Sequence, residues 1–306
     1  LKYVFRYQED LVHINSSSKY YINEFMEIDS NSVINLEIQK NLYTNSKNGS
    51  LFGVLNHTKT SMGSRLLHSY LERPLMDKEE ILTRQSRVEE IFEDYELLVN
   101  LEDCLDGIYD LDRLIAKLSY KSANAKDLIA LKVSIEKIPY LKNLLNCNKK
   151  NMQLLGEKLD DLQDIYDLID KSIVDDPPIT LTEGNLIKSN FSTELDQLRY
   201  NRVNGKNELV EYEMSEKDRL GIKNLKLVFN KKLGYFIDVT KSNLNKVGDD
   251  YEKRQTLTNS SRFKTKQLEA IESKILDSED EIFELEYKIF EDIRKIILKN
   301  LSRIKK

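Results

Sequence analysis

Leu225-Lys226-Leu227-Val228-Phe229-Asn230-Lys231-Lys232-Leu233-Gly234-Tyr235-Phe236-Ile237-Asp238-Val239-Thr240 is where this chain changes its period. Leu225, Leu227 and Phe229 alternate with Lys226 and Asn230, and Tyr235, Ile237 and Val239 alternate with Asp238 and Thr240. A period of two places one set on a buried face and the other in water, which predicts two strands. Asn230–Gly234 between them reads as a hairpin turn carrying two adjacent lysines. The flanks are helical. Glu194–Leu220 predicts one long helix with Gly221 as its C-terminal cap. Thr265–Ile304 predicts another, with Leu268, Ile271, Ile275, Ile282, Leu285, Ile289 and Ile296 at heptad positions a and d. Forty residues of helix would reach about 60 Å at ~1.5 Å per residue. The expected fold is therefore mainly α: an elongated helical core whose two long antiparallel helices carry a small β-rich module.

Charge singles out the same segment. Gly221–Lys266 holds eleven Lys and Arg against Asp238, Asp249, Asp250 and Glu252, a net +7. The whole chain carries −5, so the remainder carries −12. A basic island on an acidic body points to local contact with a polyanion.

The rest bounds the class. The chain has 306 residues, of which 40% are hydrophobic and 32% charged, and only 10 Gly and 4 Pro, a balance that favours amphipathic helices and room for two domains. Helical spacing runs through Leu51–Leu71, Ile81–Asn100, Leu101–Leu118, Ala125–Glu136, Tyr140–Leu145 and Met152–Leu168, with loops expected at Asn15–Lys19 and Thr44–Ser50. Asp175-Asp176-Pro177-Pro178 imposes an extended stop. No apolar run is long enough to span a bilayer. The start, Leu1–Arg6, reads as a cut from a longer protein, and Cys104 and Cys147 read as reduced thiols.

Motifs for catalysis are missing. His57 and His68 lie eleven apart and would share a face of a continuous helix, but no third ligand accompanies them. Gly205-Lys206 lacks the upstream glycine of a phosphate-binding loop, and no G-x-S-x-G elbow occurs. Acidic pairs such as Asp160-Asp161 read as solvated helix faces. The sequence predicts no enzyme active site, no metal and no cofactor in this chain. Its basic module does suggest binding. Lys231 and Lys232 would project from a turn tip, and Arg254, Gln255, Thr256, Thr258 and Asn259 would supply further donors at a strand-to-helix junction. Few aromatics interleave these charges; Tyr235, Phe236 and Tyr251 read as packing residues, so phosphate contact on a duplex fits better than base stacking on a single strand. The competing interpretation is a helical scaffold that docks a protein partner.

The string Gly234-Tyr235-Phe236-Ile237-Asp238-Val239-Thr240-Lys241, followed by Asp250–Asn259 and Arg262-Phe263, resembles the clamp of the bacterial MutS family of ATP-driven mismatch-recognition proteins. Asp176-Pro177-Pro178, Glu183-Gly184, Ile187 and Glu194–Arg199 resemble the family's approach to that clamp. Asn35–Ile38, Ser50-Leu51-Phe52, Thr58-Lys59-Thr60, Met62-Gly63, Arg65-Leu66-Leu67, Arg73-Pro74-Leu75, Asp110–Leu114 and Asp127-Leu128 are similar to its core. The resemblance implies residues 1–199 as the first part of a core (lever) domain, 200–255 as an inserted clamp and 256–306 as the returning core helix. It implies contact with double-stranded DNA through Asn230, Lys231, Lys232, Lys241, Ser242, Lys253, Arg254, Thr258 and Asn259. The family's mismatch-binding domain would precede Leu1, and its ATPase, which uses ATP and Mg, would follow the last helix. A second subunit, a MutL-type downstream repair protein and a cytoplasmic, nucleoid-associated location are implied likewise. The turn Lys231-Lys232-Leu233 falls where relatives vary, and Glu252, inside the stretch Tyr251–Arg254, slightly weakens the positive field of that stretch.

Overall fold

The computed structural model describes residues 25–146, 150–230 and 234–305. His13, the stretch Asn15–Lys19, Cys147, Lys231 and Lys232 lie outside the described residues. The fold is mainly α with one small antiparallel sheet, as expected, and it divides into two compact units, residues 1–179 with 291–306 and residues 180–290. None of the described helices is long and apolar enough to cross a membrane.

The first unit is built from short helices: α1 (Ser30–Asn35), α2 (Leu51–Leu55), α3 (Ser61–Glu72), α4 (Lys78–Phe92), α5 (Tyr95–Asp106), α6 (Leu111–Ser119), α7 (Ala125–Glu136), α8 (Ile138–Asn146), α9 (Lys150–Gly156) and α10 (Gln163–Ser172). Polar caps set most of their starts. Thr60, Asp77, Asp94, Asp110 and Asn124 each accept a backbone N–H three residues on, and such a cap contributes about 1 kcal/mol. Four longer helical readings of this unit are corrected by such breaks, among them Leu101–Leu118, which splits at residues 107–110 between α5 and α6. Leu51–Leu71 splits at residues 56–60, so His57 and His68 share no helix. Ile81–Asn100 splits before Asp94, and Met152–Leu168 splits at residues 157–162. Asp160 and Asp161 fall in that last break, off any helix face: Asp160 accepts from Arg303 Nε at 2.8 Å and Asp161 from Lys142 at 2.9 Å. Apolar burial closes the unit. Leu97, Leu101, Leu145 and Met152 form one cluster, and Leu118, Leu128, Leu131, Ile135, Ile165 and Ile169 are buried where α7 packs on α6 and α10. Each such side chain contributes roughly 1.5–3 kcal/mol.

The second unit holds α11 (Thr193–Leu220), the sheet, and residues 266–290 of α12 (Lys266–Lys299), which is followed by α13 (Leu301–Ile304). Gly221 ends α11 at φ +62°, as the sequence suggests. The buried side of α11 presents Leu195, Gly205, Leu209, Tyr212 and Glu216. A Cβ at residue 205 would lie 2.7 Å from Cγ1 of Ile275, so only glycine admits that isoleucine of α12. Arg199 and Glu286 join the two helices through a 2.5 Å ion pair, and the buried carboxylate also accepts the Leu186 N–H at 3.1 Å. The heptad reading of α12 holds through Ile282 and then fails. Ile296 is 45% exposed, whereas Ile282, Glu286, Phe290, Ile293 and Ile297 are buried. Their steps of four and three follow the 3.6-residue turn of a straight helix, which drifts off a seven-residue repeat.

Candidate nucleic-acid interface

The sheet consists of β1 (Lys226–Asn230), β2 (Gly234–Thr240), β3 (Glu252–Thr256) and β4 (Ser260–Lys264), in spatial order β1-β2-β4-β3. Two hairpins lie side by side, joined by a 3-10 turn at Lys241–Lys246. The second hairpin corrects the sequence reading of residues 254–259 as a strand-to-helix junction. Its strands carry little apolar signal, because only Ser261 and Phe263 of β4 are buried and β3 is an exposed edge. The sheet also runs on to Lys264, past the division at 255 drawn from the resemblance.

One face of the sheet is glued to the helices. Ile237, Val239, Phe263 and Leu225 pack with Leu209, Tyr212, Leu268, Ile271 and Ile275. Phe236 and Tyr251 are buried, as their packing role requires, and the Lys264 ammonium lies 5.3 Å from the centre of the Phe236 ring.

The strand register separates the sheet into two ends. At one end lie Asn230, Gly234, Lys264 and the start of β3, and here two glutamates from the long helices reach in. Glu272 of α12, 6% exposed, accepts the Tyr235 N–H at 3.1 Å and the Lys264 ammonium at 2.7 Å. Gly234 makes room for it: its φ is +81°, and a Cβ there would collide with the Glu272 carboxylate. Glu216 of α11 accepts the Tyr251 hydroxyl and Arg219, which also holds Asp250 at 2.8 Å and lies over the Tyr251 ring. Burial, reinforced by the neighbouring Glu216, pushes the Tyr251 hydroxyl well above the ordinary tyrosine range. Burial raises Tyr212 and Tyr235 as well.

The other end is polar and open. Thr240 pairs with Ser260, and the Lys241 N–H donates to the Asn259 carbonyl at 3.1 Å. That bond sets the exposed side chains of Lys241 and Ser242 beside those of Thr258 and Asn259 at the tip of the β3–β4 hairpin, closed by Leu257 N–H to Ser260 O at 2.9 Å. The structure thus brings four of the candidate residues together. Asn230 sits at the opposite end, paired with Gly234; the six steps of β2 put it about 20 Å away at ~3.3 Å per residue. Lys253 and Arg254 lie between, on the edge strand, both exposed. Arg254 is engaged by Glu252 at 2.8 Å and by Glu269 of α12 at 3.0 Å. Sequence reasoning missed Glu216, Glu269 and Glu272, which look like any glutamate on a charged helix. The one signal was their position: Glu216 and Glu272 fall on the buried stripes of α11 and α12.

Comparison with known proteins agrees with this architecture. The family model for MutS domain III matches residues 31–306. The DNA mismatch repair protein MutS of Finegoldia magna is 95% identical over 306 residues, which are 100% of this chain and 36% of that protein. Those of Caldanaerobacter subterraneus and Halothermothrix orenii are each 45% identical, over 96% and 97% of this chain and 34% and 33% of theirs. The chain therefore spans about a third of the length of the curated relatives it matches. On the family match across most of its length, together with long helices bearing a four-stranded basic module, this chain belongs to the MutS family of DNA mismatch repair proteins and corresponds to its domain III.

Proposed function

We propose that the β module binds the backbone of duplex DNA without sequence preference, and that the long helices couple this contact to the rest of a longer protein. The observation that supports it best is the open end of the sheet. There a lysine, two hydroxyls and an amide stand exposed together, with no aromatic ring for base stacking among the described residues of the tip. Lys241, Ser242, Thr258 and Asn259 contact phosphate in this reading, with Lys253 and Arg254 farther along the edge strand. Asn230 lies about 20 Å along the sheet at ~3.3 Å per residue, and Lys231 and Lys232, which lie outside the described residues, join it as candidates by the resemblance alone. By the family resemblance, ATP and Mg, a second subunit and a MutL-type protein belong to the longer protein, in the cytoplasm. This chain contributes a lever and clamp without catalysis of its own.

The test is fluorescence anisotropy of a labelled duplex against this chain over a salt series. With three to five phosphates neutralised, log K should fall with log salt at a slope of about −3 to −4.5. One mismatch in the duplex should change nothing. Lys241→Glu should weaken binding most of the single changes, and adding Lys231→Glu/Lys232→Glu to it should weaken binding further. A second reading, a scaffold docking a protein, draws on the exposed stripe Tyr200, Val203, Val210 and Met214 along α11. Duplex binding that is absent at low salt, or present but indifferent to these charge reversals, would favour that scaffold.

A further inference from the structure

Arg254 occupies an unusual place in the sheet. The register of β3 against β4 slips between Lys253 and Gln255, so Arg254 is the extra residue of a bulge. A bulge re-aims its side chain away from the ladder. Here it swings the guanidinium to Glu269, in the first turn of α12, while Glu252 on the same strand takes the same nitrogen. Glu269 thus sets a carboxylate of the first turn of α12 directly against the bulge. Yet all three side chains are about half exposed, at 48%, 62% and 43%. Ion pairs in that setting are weak and break readily. The contrast is Lys264–Glu272, whose side chains are only 15% and 9% exposed and whose carboxylate also holds a backbone N–H. That pair is fixed; the Arg254 cluster can exchange.

We propose that Glu269, aided by Glu252, restrains Arg254 in the free protein and competes with phosphate for it. On this reading Arg254 is a phosphate ligand that must be released from α12 before it engages the duplex. Glu269 is the positioning residue that sets how much affinity is withheld. A guanidinium offers two parallel N–H groups to a phosphate as readily as to a carboxylate, so the exchange needs no change of geometry at the donor. β3 is the outer strand of the sheet, and its edge is open to the approaching backbone. The exchange would also free β3 from one tie to α12, so that DNA contact is felt at the start of that helix. This inference rests on the duplex-backbone reading above.

A double-mutant cycle tests it, using this chain, a labelled duplex and about 50 mM salt, with circular dichroism to confirm that each variant is folded. Glu269→Gln should tighten binding by about twofold to fivefold, within the span a surface ion pair can account for. Arg254→Ala should weaken binding, and should do so more in the Glu269→Gln background than alone. The gain from Glu269→Gln should vanish when Arg254 is alanine. Persistence of the full gain in that background would mean that removing any negative charge suffices, and the restraint would be refuted. No gain from Glu269→Gln, while wild-type binding remains steep in salt and is lost in Lys241→Glu, would overturn the restraint and leave the backbone reading standing. Absence of duplex binding by every variant, Glu269→Gln included, would overturn both.

Discussion

The two ends of the four-stranded sheet are made from similar residues and put to opposite use. At the end marked by Gly234 and Lys264, polar and charged groups are drawn inward: Glu272 takes a backbone N–H and a lysine, and Glu216 takes a tyrosine and an arginine. At the tip of β3 and β4, Lys241, Ser242, Thr258 and Asn259 are left in water. The difference lies in what faces them. The first end meets the buried stripes of α11 and α12, where an ionised group must be paired or it is costly. At the second, these side chains stay exposed, and only the Ser242 hydroxyl meets a neighbour, that of Thr240 at 3.2 Å, among the described contacts. A module of this kind can be held firmly by one end while the other remains available to bind.

The comparison breaks most completely at Glu272. Glu272→Ala would leave the Lys264 ammonium and the Tyr235 N–H without their acceptor in a site only 6% exposed at the glutamate. Removing one partner of a buried pair typically costs 3–5 kcal/mol, and the expected loss here is about 3 kcal/mol in urea or thermal unfolding. Glu272→Gln keeps an acceptor for the N–H and should cost less. Equal stability for the alanine variant and the parent would mean that this end is not anchored as described.

A pH profile sharpens the same contrast. Tyr251, Tyr212 and Tyr235 at the anchored end all have folded pKa values raised, chiefly by burial. In the unfolded chain a tyrosine titrates near 10. Above that pH the unfolded chain loses protons that the folded protein retains, so unfolding is favoured. The stabilisation is fully present below about pH 10 and declines as pH rises toward the folded values. Tyr251→Phe should flatten this alkaline decline and also forfeit the hydroxyl bond to Glu216, a charged hydrogen bond contributing roughly 1.5–3 kcal/mol near neutral pH. An alkaline slope unchanged in the phenylalanine variant would remove Tyr251 from the account.

How much of this the sequence carried differs along the chain. Ala125–Glu136 is α7 residue for residue, and the long helix before Gly221 starts one residue from its predicted position, because a regular apolar stripe and a terminal glycine act locally. The β1–β2 hairpin was legible for the same reason: alternation and Gly234 are local signals. The β3–β4 hairpin was not. Its strands are polar, and its pairing is set by β2 and by a bulge, which are tertiary facts. Helix breaks at Thr60 and Asp94 were available as capping signals but were masked by continuous apolar spacing. Among the candidate contacts, sequence and resemblance named Lys241 and Asn259 separately; the hydrogen bond that joins them comes from strand register. What no local pattern could reveal is that Arg254 is already held by two carboxylates, because Glu269 lies fifteen residues on and reaches it only when α12 follows β4.

The smallest effect expected is at the open end, and its smallness is what makes it informative. Lys241 and Asn259 meet the sheet through the backbone, since it is the Lys241 N–H and the Asn259 carbonyl that bond. Their side chains extend into solvent and fill no core. Lys241→Ala and Asn259→Ala should therefore shift unfolding by less than about 0.5 kcal/mol, the usual range for exposed positions away from packing. The same two changes should lower duplex affinity several-fold, with Lys241→Ala reducing the salt slope by about one unit for the lost phosphate contact. Asn259→Ala removes an uncharged donor and should leave that slope nearly unchanged. A large stability loss in either variant would show that this end, too, is structural. Stability and affinity would then fail to separate, and the division of the sheet into a held end and a binding end would have to be abandoned.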